Sequence, residues 1–226
     1  MLKNLKLHIS NKSLIILSFI FGLAINQYFG NKGLFPIDSL SHFDTGYRVL
    51  HGEFPFKDYW VVSGPFLDFF QGFLFLIFGV SWQSYLLNGS IINGLVTALL
   101  LNFLLEVKID RKYALFYSFC FAVLAYPTSG TPFVDLHSTH LSFIAILCFY
   151  TYIVAKKKIY IILIPPFFLF SFLSKQVPAV YIFLSFIVLS SYNSIFDTLE
   201  NNKKKNKIIN NFIINLFNIF YFYFSL

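Results

Sequence analysis

The residues best suited to chemistry lie between the first two long apolar stretches of the chain. Five of the ten acidic side chains fall within residues 31–83. A surface carboxylate can act as a general base, which takes a proton from an attacking group. We therefore expect a reactive site in this segment. Its acidic residues are Asp38, Asp44, Glu53, Asp58 and Asp68.

Asp44 is predicted to lie on a short surface helix. Asp44, Tyr47 and Arg48 are three and four residues apart, so they share one face if the segment is helical. His51 follows one turn later, and Gly52 is a residue type that commonly ends a helix. An Asp at the start of a surface helix is often only its N-cap, so the pattern by itself leaves a capping role open for Asp44.

A turn rich in aromatic residues follows this helix. Pro55 and Pro65 interrupt the chain on either side of residues 57–60, which read Lys-Asp-Tyr-Trp. For Asp58, a structural role in holding the turn and a catalytic role are both open. Lys57 adds a cationic side chain to the same turn.

A second polar group occupies residues 126–140. Asp135, His137 and His140 could supply metal ligands, and all three would point toward one pocket if a helix begins at this place. The alternatives stay open, because an Asp before a membrane helix is commonly its cap. Two histidines three residues apart more often hydrogen-bond at an interface than bind zinc. The sequence therefore assigns no cofactor and leaves a divalent metal as an open alternative.

Lys175 and Gln176 lie between two apolar stretches. A Lys within hydrocarbon costs about 2.5 to 3.5 kcal/mol on insertion scales, so it must reach the interface, pair with a carboxylate or bind an anion. A plain surface lysine in a loop is the alternative interpretation.

The elements that must position these residues are apolar helices. The chain has 226 residues, of which 57% are hydrophobic and 12% are charged, whereas a soluble domain is roughly one quarter charged. This composition excludes a disordered, nucleic-acid-binding or disulfide-rich secreted protein and predicts an all-α, polytopic membrane protein. About seven spans are predicted, at residues 13–30, 84–105, 113–130, 138–155, 159–174, 177–192 and 208–226, within a single membrane domain of residues 1–226.

The charge pattern predicts the topology. The apolar stretch 66–79 is short and carries Asp68 and Gln71. If this stretch does not cross, most of the 17 Lys and Arg residues fall on one side, as the positive-inside rule favours. Residues 1–12 are then a cytoplasmic start, and residues 31–83 form one long outer loop with juxtamembrane helices. The Lys-, Asn-, Ile- and Phe-rich composition indicates the cytoplasmic (inner) membrane of a bacterium.

An ordered series of residues in the first loop resembles a known family. The chain is similar to the integral-membrane glycosyltransferases of the GT-C fold, which include protein O-mannosyltransferases and the aminoarabinose transferase of lipid A. The similarity covers roughly residues 10–190, the N-terminal portion of such an enzyme. The matching residues are Asp44, Tyr47, Gly52, Pro55, Phe56, Lys57, Asp58, Tyr59, Trp60, Gly64, Pro65, Phe78 and Gly79.

The resemblance implies a role for each polar group. Asp44 maps to the general base that activates the acceptor. If the match between the loop and the family motif is shifted along the sequence, Asp38 is the general base instead of Asp44. Gly46 and Tyr47, which follow Asp44 as in the family, favour Asp44. The predicted ligands of the donor phosphate are Arg48, Lys57, Lys175 and Gln176. Family members often carry an acidic residue near the metal or the donor phosphate in the second loop, where Asp135 lies.

The resemblance also implies partners. A hexosyltransferase of this kind moves a sugar from a polyprenyl-phosphate donor in the cell envelope to a glycan, lipid or protein on the outer face of the membrane. Complete members are commonly much longer, so we expect truncation at the C-terminus, a second chain that supplies the missing half, or a minimal variant of the family. A non-catalytic membrane scaffold, or a protein that binds lipid-linked sugars, is the alternative.

Overall fold

The computed structural model describes residues 10–33, 40–61 and 63–199, with the backbone alone for residues 193–199. Within these ranges all regular elements are α-helices, which confirms the predicted all-α class. Asp38 and the predicted span 208–226 lie outside the described residues. The helices are α1 (Asn11–Gly30), α2 (Ser41–Leu50), α3 (Phe66–Phe78), α4 (Trp82–Glu106), α5 (Arg111–Leu124), α6 (Val134–Ala155), α7 (Lys158–Ser174) and α8 (Gln176–Leu199).

Three of the described helices, α1, α4 and α6, are long and apolar enough to cross a membrane. Helices α3 and α7 and the first part of α8 are apolar but shorter. The chain divides into two compact units, Met1–Phe183 and Leu184–Leu226. Helices α1 to α7 and the first part of α8 belong to the first unit. The number of spans and the single membrane domain stay predictions.

Three helix boundaries differ from the predicted spans, and one of them is the end of α8, at Leu199 rather than near residue 192. Helix α5 ends at Leu124 rather than near residue 130. The reason is Pro127, because a residue that precedes proline, here Tyr126, is disfavoured in the helical region. Helix α6 begins at Val134, four residues before the predicted start. The polar residues of the second loop therefore lie within the first two turns of α6.

Helices α1, α4 and α5 are in close contact through small and amide side chains. A Cβ atom at Gly22 would lie 2.7 Å from Thr97 Oγ1 and 3.0 Å from the Cα of Gly94. The side-chain amide of Asn93 donates to the carbonyls of Gly22, at 2.8 Å, and Ala122, at 3.0 Å. In lipid, burying apolar side chains between helices gives no driving force for association. Close packing of small residues and interhelical hydrogen bonds hold the helices together instead.

The connections that carry the polar residues meet at one end of this unit. The end of α1 lies beside the start of α4, since Gln27 Nε2 donates to Gln83 Oε1 at 2.9 Å. The loop between α5 and α6 lies there too, because Asn26 Nδ2 donates to the carbonyl of Gly130 at 3.2 Å. We call this the loop end. The segment between α1 and α4 therefore begins and ends at the loop end.

Basic clusters gather at the opposite end, which we call the basic end. Arg111 Nη2 donates to Asn11 Oδ1 at 2.6 Å, so the start of α5 lies beside the start of α1. Lys157 Nζ donates to Glu106 Oε1 at 2.8 Å, so the α6–α7 connection lies beside the end of α4. The two ends of the unit therefore differ in charge, with basic clusters at one end and the carboxylates of the first loop at the other.

Candidate functional site

Helix α2 packs on α3 through two glycines. A Cβ atom at Gly46 would lie 2.5 Å from Gln71 Cγ, and one at Gly72 would lie 2.7 Å from Val49 Cγ1. Larger residues at either position would push the two helices apart. Gly46, which follows Asp44 in the motif, is therefore required for the close packing of α2 on α3. This packing sets the position of Asp44.

The carboxylate of Asp44 lies on the exposed face of α2. Its side chain is 63% exposed, and Oδ2 accepts a hydrogen bond from Arg48 Nε at 2.7 Å. Helix α2 begins three residues earlier, and its N-cap residue, Leu40, makes no capping bond. The capping alternative for Asp44 is therefore wrong, and its carboxylate is accessible to a second molecule.

Arg48 is held by two carboxylates of the first loop. Besides Asp44, its guanidinium group contacts Glu53 Oε2 at 3.2 Å through Nη1. Hydrogen bonds to Asp44 and Glu53 raise the pKa of Arg48, which stays charged. Tyr47 stacks against His51 with ring centroids 4.2 Å apart, one turn along the same face. A phosphate at Arg48 would have to replace an existing carboxylate contact.

The aromatic turn has an internal hydrogen bond that assigns a structural role to Asp58. Asp58 Oδ2 accepts from the backbone N–H of Phe54 at 2.8 Å. Lys57 is exposed and lies beside Asp58, with Nζ 3.9 Å from Oδ1. Of the two roles left open for Asp58, the geometry favours holding the turn.

Asp68 is a buried residue to which the sequence pattern assigned no role. Its side chain is 1% exposed, and His42 Nδ1 lies 3.0 Å from Oδ1. The hydroxyls of Thr45, at 2.5 Å, and Tyr59, at 3.1 Å, donate to its two oxygens. Burial and the nearby Asp68 raise the pKa of Tyr59, so its phenol keeps its proton. We call these four residues the Asp68 cluster.

Asp135 and Lys175, predicted separately, are brought together. Lys175 Nζ contacts Asp135 Oδ1 at 2.7 Å and Oδ2 at 2.8 Å, and both side chains are partly exposed. Lys175 follows the last residue of α7, and Gln176, also exposed, begins α8. An accessible ammonium group therefore lies at the loop end, already paired with a carboxylate.

His137 is an interior hydrogen-bonding residue. It is fully buried; its Nδ1 lies 2.5 Å from the Tyr126 hydroxyl and its Nε2 lies 2.7 Å from Asn88 Oδ1. Both ring nitrogens are therefore occupied by protein groups. Among the residues that the structure describes, no group of three or more His, Cys, Asp or Glu side chains could hold a metal ion. For His137 the structure favours the hydrogen-bonding alternative.

His140 is also buried, and it does not share a pocket with Asp135. Its Nδ1 donates to the carbonyl of Leu136 at 2.7 Å, while Nε2 is buried without a hydrogen-bond partner. The expectation that Asp135 and both histidines face one pocket is wrong. Asp135 faces the α7–α8 junction, whereas His137 faces α4, because these positions lie on different sides of α6.

A chain of buried hydrogen bonds connects the second loop with α3. The backbone N–H of Phe133 donates to the Tyr126 oxygen at 3.0 Å, so the Tyr126 hydroxyl donates to His137 Nδ1. His137 Nε2 then donates to Asn88, whose Nδ2 donates to Gln71 Oε1 at 3.1 Å. When every bond donates in this order, from Phe133 toward Gln71, each of these polar groups has a hydrogen-bonding partner. Because Gln71 also contacts α2, the two loops share one polar framework.

The first loop also contacts the junction between α7 and α8. Gly64 N–H donates to the carbonyl of Ser174 at 3.0 Å, and a Cβ atom at Gly64 would lie 1.8 Å from the carbonyl oxygen of Leu173. Only glycine fits at this position. Lys175 is the next residue, so the first loop, the second loop and Lys175 meet at the loop end.

An apolar groove of about 320 Å³ lies along α7 and α8, lined by residues that precede and follow Lys175 in the sequence. Its walls carry no charged side chain. The lining residues are Phe168, Leu169, Phe172, Ala179, Val180 and Phe183.

Comparison with known proteins identifies the family. A family model described as dolichyl-phosphate-mannose-protein mannosyltransferase matches residues 62–206, which is more than half of the chain. The match includes α3 to α8 and begins after α2, so Asp44 lies before it. No curated protein and no solved structure matches the chain. The apolar helices agree with an integral membrane protein. The chain therefore belongs to the dolichyl-phosphate-mannose-protein mannosyltransferase family of membrane glycosyltransferases, which confirms the resemblance to GT-C enzymes.

Proposed function

We propose that the chain transfers a sugar from a polyprenyl phosphate to a hydroxyl group of an acceptor at the loop end. Membership of the family implies a lipid-linked sugar donor. The observation that carries the proposal is the convergence of three parts on the loop end: the exposed carboxylate of Asp44, the second loop and the Lys175 ammonium group.

Asp44 is the proposed general base. Its carboxylate takes the proton of the acceptor hydroxyl, whose oxygen attacks the anomeric carbon of the sugar. The bond from that carbon to the phosphate oxygen breaks, and the polyprenyl phosphate leaves with the electron pair. The hydrogen bond from Arg48, at 2.7 Å, holds the carboxylate in one orientation while its other oxygen stays accessible.

Lys175 is the proposed contact for the donor phosphate. A phosphate would replace Asp135 on the ammonium group, and Gln176 begins the adjacent helix. The apolar groove along α7 and α8, the two helices that Lys175 separates, supplies a surface for the prenyl chain. Arg48 and Lys57 are further cations of the loop end that can contact a phosphate.

The loop end is the proposed outer face of the membrane. The basic clusters lie at the opposite end, and basic residues are enriched on the cytoplasmic side of membrane proteins. In this orientation the N-terminus is cytoplasmic, and the acceptor is a glycan, lipid or protein outside the bacterial inner membrane.

A second candidate function is binding of lipid-linked sugars without transfer. The observation that favours it is that Asp44 and Lys175 are both already ion-paired, with Arg48 and Asp135. In a non-catalytic protein, these two ion pairs would have a structural role alone.

The test uses the full chain in lipid nanodiscs with radiolabelled dolichyl phosphate mannose as the donor probe. Binding is measured on the purified chain, and transfer is measured with added membranes as the source of acceptors. We expect Lys175→Gln to weaken binding, and Asp44→Asn to keep binding but reduce transfer by about 100-fold or more.

Matched controls lie at the basic end. Asp110→Asn removes a carboxylate that caps α5, and Lys157→Gln removes another ion-paired lysine. Both should leave binding and transfer unchanged. Unchanged transfer with Asp44→Asn would contradict the mechanism, and donor binding without transfer by the natural chain would favour the second candidate.

A further inference from the structure

The carboxylate of Asp68 joins three separate parts of the first loop. His42 and Thr45 belong to α2, Tyr59 belongs to the aromatic turn, and Asp68 itself lies in the first turn of α3. A single group therefore connects α2, the turn and α3.

A carboxylate suits this position because it only accepts hydrogen bonds. All three partners present donors to it, and the start of a helix favours a negative charge. Burying a carboxylate is costly unless it is fully hydrogen-bonded. An Asn at the same place would present an NH₂ group to at least one of these donors. The acidic side chain at position 68 is therefore matched to its three partners.

The Asp68 cluster lies on the opposite face of α2 from Asp44. His42 and Thr45 face α3, whereas Asp44 and Arg48 are on the accessible face. Because α2 has only ten residues, the contacts on one of its faces fix how the whole helix is rotated and where it lies on α3. They therefore also fix the position of the opposite face. A movement of α2 about its axis would carry Asp44 away from its place.

A second path leads from Asp68 to Asp44 through the aromatic turn. Tyr59 donates to Asp68, and the guanidinium carbon of Arg48 lies 5.8 Å from the centre of the Tyr59 ring. Arg48 in turn donates to Asp44. The orientation of the Asp44 carboxylate thus depends on both parts that Asp68 holds.

We propose that Asp68 is a positioning residue, whose carboxylate holds α2 and the aromatic turn in register on α3 and so sets the position of Asp44. The catalytic meaning of that position rests on the function proposed above. The positional claim itself concerns only the structure of the loop, and it can be measured without turnover.

The first test measures distances by electron paramagnetic resonance on the full chain in nanodiscs. Cys120 and Cys148, the free cysteines of the described residues, are first replaced by Ala. One spin label is placed at Tyr113, at the basic end, and the second at Tyr47 on α2 or at Trp60, which is 84% exposed in the turn. We expect narrow distributions for both pairs.

Variants of the cluster should act selectively. Asp68→Ala should broaden the distributions of both label pairs. Thr45→Val should broaden only the α2 pair, and Tyr59→Phe only the turn pair, because each removes one donor and leaves the carboxylate in place. Asp110→Asn, at the basic end, should change neither distribution. Two narrow distributions in Asp68→Ala would overturn the proposal.

The second test separates positioning from a loss of folding. With labelled dolichyl phosphate mannose as donor, Asp68→Asn should lower the apparent kcat about tenfold to 100-fold with a smaller change in KM, since Lys175, the main proposed donor contact, lies outside the parts that Asp68 holds. Asp68→Glu, which keeps an acceptor-only group, should restore part of kcat. A lowered kcat with narrow distributions would overturn the proposal. Broadened distributions with transfer that does not depend on Asp44 would support positioning and contradict the proposed function.

Discussion

Two carboxylates lie at opposite faces of α2, one on α2 itself and one on α3, and their surroundings are opposite. On the accessible face, Asp44 is 63% exposed and pairs with one guanidinium group at 2.7 Å. On the face toward α3, Asp68 is 1% exposed and has three hydrogen-bonding partners. Both residues belong to one acidic segment of the sequence.

This difference separates a residue that can react from residues that hold it in place. An exposed ion pair adds little to stability and opens easily for a substrate. A buried carboxylate cannot meet a substrate, but its loss leaves several donors without a partner. Four variants test this comparison, beginning with the largest expected effect on stability.

Asp68→Ala should cause the largest loss of stability. The change leaves the hydroxyls of Thr45 and Tyr59 and the ring of His42 without their acceptor in a buried place. We expect the free energy of unfolding, measured by denaturant titration in detergent micelles, to fall by about 3 kcal/mol. A loss no larger than that of Asp44→Ala would remove the distinction between the two faces.

Gly64→Ala should follow, with a loss of about 2 kcal/mol. The added Cβ would overlap the carbonyl oxygen of Leu173, so the first loop must move away from α7. Gly33→Ala is the matched control, because no described residue beyond its chain neighbours lies within 4 Å of a Cβ there. Equal stability of the two variants would show that the loop does not rest on the α7–α8 junction.

His137→Leu should lose about 1 to 2 kcal/mol, because the Tyr126 hydroxyl and Asn88 Oδ1 lose their partner. His140→Leu is its control on the same helix. That change removes a buried nitrogen that has no partner, so it should cost less or even stabilise the chain. The same titration compares the two variants, and a larger loss for His140→Leu would contradict the hydrogen-bond assignment.

Asp44→Ala should have the smallest effect on stability. Its only ion pair is exposed, and Arg48 keeps its contact with Glu53. We expect no resolvable change in the unfolding titration, in contrast to the loss of transfer expected for Asp44→Asn. A clear loss of stability would indicate that Asp44 is a structural residue.

Several features of the fold could be predicted because they depend on neighbours in sequence. The apolar runs predicted the long helices, and Gly52 follows α2 with a positive φ of 87°, as expected for a residue that ends a helix. The boundaries of α5 and α6 were less accurate. Residues 125–133 contain Pro127, Gly130 and Pro132, and the break at Pro127 together with the packing of Tyr126 makes this part a loop.

The candidate site was predictable in its parts but not in its contacts. The spacing of Asp44 and Arg48 predicted a shared helical face, and the structure has their ion pair. The pairing of Asp135 with Lys175 joins residues 40 positions apart, which spacing cannot reveal. A His and a Thr three residues apart on α2, together with an Asp in an apolar stretch, were the available signal for the Asp68 cluster.

The sequence by itself determined the helical class, the apolar character of the chain and the family, because these depend on composition and on the order of residues along the chain. The tertiary structure decided which polar residue is buried and which is accessible. Asp44 and Asp68 belong to one acidic segment, and Asp135 and His137 are two residues apart, yet the members of each pair have opposite surroundings in space. Burial depends on which helices meet, and close contacts such as that of Gly46 with Gln71 arise only when distant segments pack together.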